Sequence, residues 1–496
     1  MIFITLAPPH SGTSVWRLGL AAAAALAAAA PLAGCRPNQA PPTAQAPAQL
    51  SPDQVGLLLQ TLDAAPSHGF SQSRFGAPQI RQLLQSGDAD ERQRGQQRLV
   101  GAIVAYARAQ HGLALAKAAL DPNWGYRRES YDAQRELSAA VAQNRLKDWV
   151  EALPPPFPGY QALRQGYQAY LNAAAAGGWG AIPDGEPLRV GSQGPRVQAL
   201  RARLALEDPA VNKADADHPF DQALAQVVTA YQQRNGLLAN GVVDAATLKA
   251  LNVPAQTRVL QIRANLERLR WAPRTPAADR VEVNSVGGTF DLFLDGQPAL
   301  HMLAAAGKPG DETPILTSTI ASVVLNPPWR VPDSIADKEL FPKNAQDHGY
   351  FEREGFAVQP PGQGVKLIQK PGPKNALGQV KFQFANDYGV YLHDTPAKAA
   401  FLRQQRSVSH GCVRLEHALQ FAETLLQREP GWSVARVNET VSLEDTTEVK
   451  LSRPVQVSLF YWTAIPAGGR IGFRDDVYGW DAELVRLLDA GGSSQA

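Results

Sequence analysis

Residues 393–415 read HDTPAKAAFLRQQRSVSHGCVRL. The stretch brings a histidine, His393, into the same short segment as Ser409-His410-Gly411-Cys412-Val413-Arg414. A thiol with a histidine supplied from a neighbouring element is the minimum equipment for acyl transfer through a thioester. The chain has 2 cysteines, Cys35 and Cys412. The competing reading of Cys412 is a small buried hydrophobe. After it, Leu415, Ala418, Leu419, Ala422, Leu425 and Leu426 form an apolar stripe closed by Pro430-Gly431. A helix is therefore expected directly after the cysteine. Its unpaired amides and dipole would favour the thiolate, and amides near Gly411 and Cys412 could form an oxyanion hole. Gly411 permits a tight turn there.

Working outward, the hydrophobic period is two. Val281 and Val283, Phe290 to Leu294, Val380-Lys-Phe382-Gln-Phe384, Val390 to His393, and Val455 to Tyr461 read as strands. Residues 279–496 are expected to form a mainly β domain with peripheral helices. Within it, 335–366 carries glycine and proline with little period, which suggests a lid. Tyr391 lies on the same strand face as His393. Tyr391 and Trp329 are candidates to line a groove at the thiol, or are packed aromatic surface.

Upstream the period changes to that of helices. Residues 53–180 read as a helical domain, with Leu99, Val100, Ile103, Val104 and Ala107 on one period. Residues 186–252 read as a three-helix unit. Its first helix carries Val197, Leu200 and Leu204, its second Leu224, Val227, Val228 and Tyr231, and Asp244 caps a short third. A linking helix around Gln261–Trp271 falls within 253–278. The fold class expected is multidomain α+β.

The first 35 residues read as a signal peptide. A short alanine-rich run follows Arg17, and Leu32-Ala33-Gly34-Cys35 looks like a lipobox in which Cys35 is lipidated. A chance cysteine in an alanine-rich signal is the alternative. Residues 1–16 hold no Lys or Arg, so translation could start further on. Residues 36–52, rich in Pro, Ala and Gln, read as a tether. If Cys35 is acylated, Cys412 has no disulfide partner, and a lone thiol in an oxidising compartment favours use over burial. At 496 residues the chain is expected to hold two to four domains. A net charge of +2 without a long basic run argues against a nucleic-acid partner. No metal-ligand cluster is legible.

The His393 to Cys412 arrangement resembles the signature of the YkuD-type L,D-transpeptidases, which is His, a spacer, then Ser/Thr-His-Gly-Cys. Thr313-Pro314, Asn326-Pro-Pro-Trp329-Arg-Val-Pro332-Asp-Ser334-Ile335, Gln369 to Gly378, and Phe473 to Gly479 resemble further segments of its large, YcbB-like group. Residues 53–180 resemble that group's scaffold domain, and 186–252 resemble the type 1 peptidoglycan-binding domain. The resemblance implies a peptidoglycan transpeptidase, acting in cell-wall organisation and shape, that forms 3-3 crosslinks between stem peptides through a Cys412 thioester and releases D-alanine. It implies His393 as base, oriented by the Asp394 backbone carbonyl, with His410 in support and Gly411 at the oxyanion hole. Arg414 would meet a substrate carboxylate, with a solvated arginine as the alternative. Ser409, Tyr391 and Trp329 are further substrate-side candidates, although Ser409 also suits a bond within the turn. No cofactor is implied; sensitivity to carbapenems is. The expected partners are stem peptides, glycan and, through Cys35, a membrane. Arg36 after the lipidated cysteine favours the outer membrane, with the enzyme facing the periplasm. Stem hydrolysis or attachment of a protein to the wall, and a wall-binding lipoprotein with an inactive catalytic domain, are the alternatives.

Overall fold

A computed structural model describes residues 50–125, 130–211, 217–362 and 364–491. Cys35, the signal peptide and nearly all of the expected tether lie outside the described residues. Among the described residues no helix is long and apolar enough to cross a membrane.

The N-terminal part is helical, as expected. Helix Pro52–Asp63 opens on a capping box in which Ser51 and Gln54 exchange side-chain to backbone bonds. Helix Ala89–Gln110 is capped by Asp88 and buries Leu99, Val100, Ile103 and Ala107, while Val104 stays half-buried. Helices Ala133–Ala142 and Leu146–Ala152 complete that core. Helix Pro158–Ala175 packs instead on the linking helix. The three-helix unit has helices Pro195–Leu204, Gln222–Asn235 and Ala245–Leu251. The Asp244 carboxylate accepts the Thr247 N–H at 2.8 Å, as its position suggested.

The linking helix, Ala255–Trp271, is longer than its sequence pattern indicated and is buried on most sides. It lies between helix Pro158–Ala175 and the C-terminal helix Trp480–Ala490. Two of its buried arginines are paired with acids: Arg268 with Asp481, and Arg270 with Glu267 at 2.7 Å. Removing one partner of such a pair strands a buried charge, at a cost of about 3–5 kcal/mol. The helix therefore joins the helical region to the β-rich region as a fixed strut.

The β-rich C-terminal region has β1 (Arg280–Asn284), β2 (Thr289–Leu294), β3 (Gln297–Gly307), β4 (Leu316–Leu325), β5 (Trp329–Arg330), β6 (Phe356–Val358) and β7 (Leu367–Gln369). It continues with β8 (Val380–Phe384), β9 (Leu392–His393), β10 (Ser407–Ser409), β11 (Val413–Leu415), β12 (Thr447–Phe460), β13 (Ala464–Ala467) and β14 (Arg470–Phe473). The main sheet runs β10-β3-β11-β9-β8-β4-β12-β1-β2, and β2 also pairs with β3, so the strand order returns on itself. Val281, Phe290, Phe382, Leu392, Val413 and Leu415 fill its interior together with Phe421 of helix Ala418–Leu426.

One sequence expectation is corrected here. The cysteine does not precede a helix. Val413–Leu415 pairs with β3 and β9 as a strand, and the helix begins only at Ala418. The apolar residues 413 and 415 face the sheet interior with period two before the helical stripe begins. The segment 335–366, of little period in sequence, has elements of its own. It holds short helices at Ala336–Leu340, Phe341–Gln346 and Tyr350–Arg353, and its strand β6 joins a small sheet ordered β5-β7-β6. Val331, Ala336, Leu340, Phe351 and Leu367 give it a core of its own.

Candidate active site

Cys412 lies in the turn between β10 and β11, and His393 ends β9. β11 and β9 are parallel neighbours, with Arg414 opposite His393. Alternation along each strand then puts Tyr391, His393, Cys412 and Arg414 on one face, while Leu392, Val413 and Leu415 point into the core. On the other side of β9, β8 places Lys381 opposite His393. Lys381 was not singled out from the sequence. Its only signal there was a lysine between two inward-facing strand residues.

Hydrogen bonds fix the turn. Gly411 has φ +102°, a left-handed conformation that favours glycine. An added Cβ would meet no atom closer than 3.5 Å, so the backbone angle rather than crowding selects glycine. The Gly411 carbonyl accepts from the Thr313 hydroxyl at 2.7 Å, and that hydroxyl accepts the Gly307 N–H at 2.8 Å. The Tyr478 hydroxyl donates to the Gly307 carbonyl at 2.6 Å. The buried Ser409 hydroxyl donates to the Cys412 carbonyl and accepts the Gly411 N–H at 3.2 Å. Ser409 thus holds the turn, the bond its sequence position also suited. The Gly411 N–H is occupied, so the amide left for an oxyanion is that of Cys412, which has no hydrogen-bond partner among the described residues.

His393 is buried, and its Nδ1–H donates to the Asp394 backbone carbonyl, the orienting contact expected. Its Nε2 has no hydrogen-bond partner among the described residues and is left to accept a proton. The Asp394 side chain has separate work, accepting the Gln379 N–H at 2.9 Å and the Lys398 ammonium at 2.7 Å. His410 is exposed and stands away from the thiol's face. Its Nε2 lies 2.7 Å from Glu339 Oε1 in the lid and 3.4 Å from Lys308 Nζ.

The electrostatics differ from those of a helix N-terminus. Burial pushes the Cys412 thiol up, opposed by hydrogen bonds from the Tyr391 N–H and hydroxyl and by the charges of Lys381 and Arg414. Burial and the Arg414 and Lys381 charges push His393 down to about 3, against the opposing effect of its bond to Asp394. At neutral pH the resting pair is thiol and neutral imidazole. The Tyr391 hydroxyl lies beside the Cys412 thiol and receives a hydrogen bond from Trp329 of β5. The Lys381 ammonium sits 4.2 Å from the Tyr391 ring centroid. Arg414 is half-buried, its charge is disfavoured by burial, and its Nε has no hydrogen-bond partner among the described residues. An unpaired guanidinium beside the thiol suits a carboxylate.

Comparisons with known proteins find similarity along three stretches of the chain. Residues 278–450 match the family model of the L,D-transpeptidase catalytic domain, 43–166 match that of the scaffold domain, and 193–251 match that of the peptidoglycan binding domain. A curated Haemophilus influenzae protein named as an L,D-transpeptidase is 30% identical over 240 residues, covering 45% of this chain. The match spans about half of that relative's length, 48%. Among solved structures, an L,D-transpeptidase from Mycobacterium smegmatis aligns at 19% identity over 37% of this chain and 58% of that one, with a TM-score of 0.20. One from Xylanimonas cellulosilytica aligns at 17% identity over 56% and 99%, with a TM-score of 0.17. At these scores the structural alignments carry no argument. The family models and the curated relative do: over these stretches the chain is similar to a YkuD-type L,D-transpeptidase catalytic domain, preceded by regions similar to a scaffold domain and a peptidoglycan-binding domain.

Proposed function

We propose that this protein is a peptidoglycan L,D-transpeptidase that forms 3-3 crosslinks between stem peptides through a thioester on Cys412. The observation that carries the reading is the shared strand face of Cys412 and His393, with the histidine's Nδ1–H committed to the Asp394 carbonyl. That bond leaves Nε2 as the proton acceptor. Because the resting pair is neutral, the thiol proton moves to Nε2 as sulfur attacks the carbonyl of the third stem residue. The Cys412 N–H faces the developing oxyanion. The imidazolium returns its proton to the departing D-alanine amine. The side-chain amine of a second stem then takes the acyl group, and the thiol is regenerated. Arg414 holds a stem carboxylate, and Tyr391 with Trp329 steadies the sulfur side of the site.

We further propose that Cys35 is lipidated and anchors the protein to a membrane facing the periplasm, the outer membrane being favoured, with 36–52 as tether. Carbapenems would acylate Cys412. Mass spectrometry of disaccharide-tetrapeptide stems incubated with the protein, with Cys412→Ala alongside, tests the reaction. A dimer lighter than two monomers by one D-alanine, absent with the variant, is expected. Tripeptide without dimer would favour hydrolysis instead. No turnover would favour wall binding alone.

A further inference from the structure

Away from the thiol, a cavity of about 240 Å³ lies where the three-helix unit meets the catalytic domain. Leu237, Val286, Phe473 and Val477 give it apolar surface. Arg258 and Arg474 give it charge without an acidic counterpart. Arg258 lies over the Phe473 ring at 4.2 Å and donates to the Gln261 side chain and the Ala250 carbonyl. Arg474 donates through Nη1 to the carbonyls of Arg234 and Phe473. Neither guanidinium bonds a carboxylate among the described residues, and the Nε of each is buried without a partner. The acid at the rim, Asp475, is held by Lys249 at 2.7 Å. Burial and the nearby Arg406 charge push Arg474 down to about 10, a strain that a bound anion would relieve. Gln404 and Gln405 line the same cavity, and their amides have no hydrogen-bond partner among the described residues. They suit the peptide groups of an extended ligand and sit on the segment that leads into β10 and on to Cys412.

We infer that this cavity docks the carboxylate of a second peptidoglycan stem peptide, held between the three-helix unit and the catalytic domain. The inference rests on the proposed function for its ligand class. A crosslinking enzyme must hold wall material besides the donor stem at its thiol, and interdomain clefts with a few convergent polar groups are the usual place for a ligand.

Calorimetric titration of full-length Cys412→Ala with a purified tetrapeptide stem tests it, because this variant separates binding from turnover. Two sites are expected. Adding Gln404→Glu and Gln405→Glu, which place carboxylates on an exposed loop, is expected to weaken one site at least ten-fold and spare the other. Arg474→Gln should act on the same site. Arg474 also caps helix Gln222–Asn235, so the glutamine pair keeps the test open if that variant fails to fold. A single site lost with the glutamine pair would support the inference. A single site indifferent to that pair, or no binding, would overturn it. Dimer formation by the wild type is read separately, so the proposed function could survive that result.

Discussion

The Tyr391 hydroxyl lies beside the Cys412 thiol and is itself held by Trp329 of β5. The contact ties the nucleophile to a segment whose short elements have their own core. It also supplies a donor that stabilises the thiolate, opposing the burial that pushes the thiol up.

Tyr391→Phe keeps the ring and removes that donor. A hydrogen bond to a charged group contributes about 1.5–3 kcal/mol. The thiol's titration should therefore move up by roughly one to two pH units. The pH dependence of Cys412 alkylation by iodoacetamide reads this directly. In the wild type the rate should climb through the alkaline range, because the resting pair is neutral. A rate already at its plateau near pH 5 would indicate a thiolate–imidazolium pair and contradict the account.

Thr313→Val is nearly isosteric but leaves the Gly307 N–H and the Gly411 carbonyl without their shared partner. Each unsatisfied buried group costs about 1–3 kcal/mol. A clear fall in Tm and at least a ten-fold loss of dimer formation are expected. Unchanged activity would show that the turn does not depend on this anchor.

Glu339 and His410 link the lid to the catalytic turn at 2.7 Å, both partly exposed. Such pairs contribute about 0–1 kcal/mol. Glu339→Gln should leave Tm nearly unchanged while bulky thiol reagents reach Cys412 several-fold faster. Equal rates would remove the lid from control of access.

Burial keeps His68 and His393 neutral, with folded-state values near 2 and 3 against 6.5 for the model group. Both values are lowered, so the unfolded chain binds protons that the folded chain refuses between about pH 6.5 and 3. Stability should be full above pH 6.5 and fall as the pH drops through that window, by up to about 1.4 kcal/mol per pH unit per histidine. Denaturant unfolding of wild type and His68→Asn at pH 7 and 5 checks it. The variant's slope with pH should be the shallower. Equal slopes would exclude His68 as a source.

Much of this arrangement was legible in residue order because local physics decides it. The Asp244 cap, the Leu99 to Ala107 stripe and the strands around Val281, Phe382 and Val457 each follow a period or a cap within a few residues. The pairing of Cys412 with His393 was legible for the same reason, both lying within 393–415. Misreadings arose where tertiary contacts decide. Val413 and Leu415 belong to a strand because β3 and β9 flank them, yet they merge in sequence with the helical stripe that follows. The segment 335–366 lacked a period because its elements are short. The burial of the linking helix was hidden by Arg268 and Arg270, whose partners make charged residues compatible with an interior. Lys381 reaches the site only through β8–β9 pairing, which no local pattern announces.

The central claim is acyl transfer through Cys412, and intact-protein mass spectrometry of the enzyme quenched during turnover with tetrapeptide stems tests it most directly. The account expects an adduct of the stem's mass less D-alanine, mapped to the peptide carrying Cys412, released by hydroxylamine and absent in Cys412→Ala. Crosslinked product formed by Cys412→Ala at the wild-type rate would contradict it.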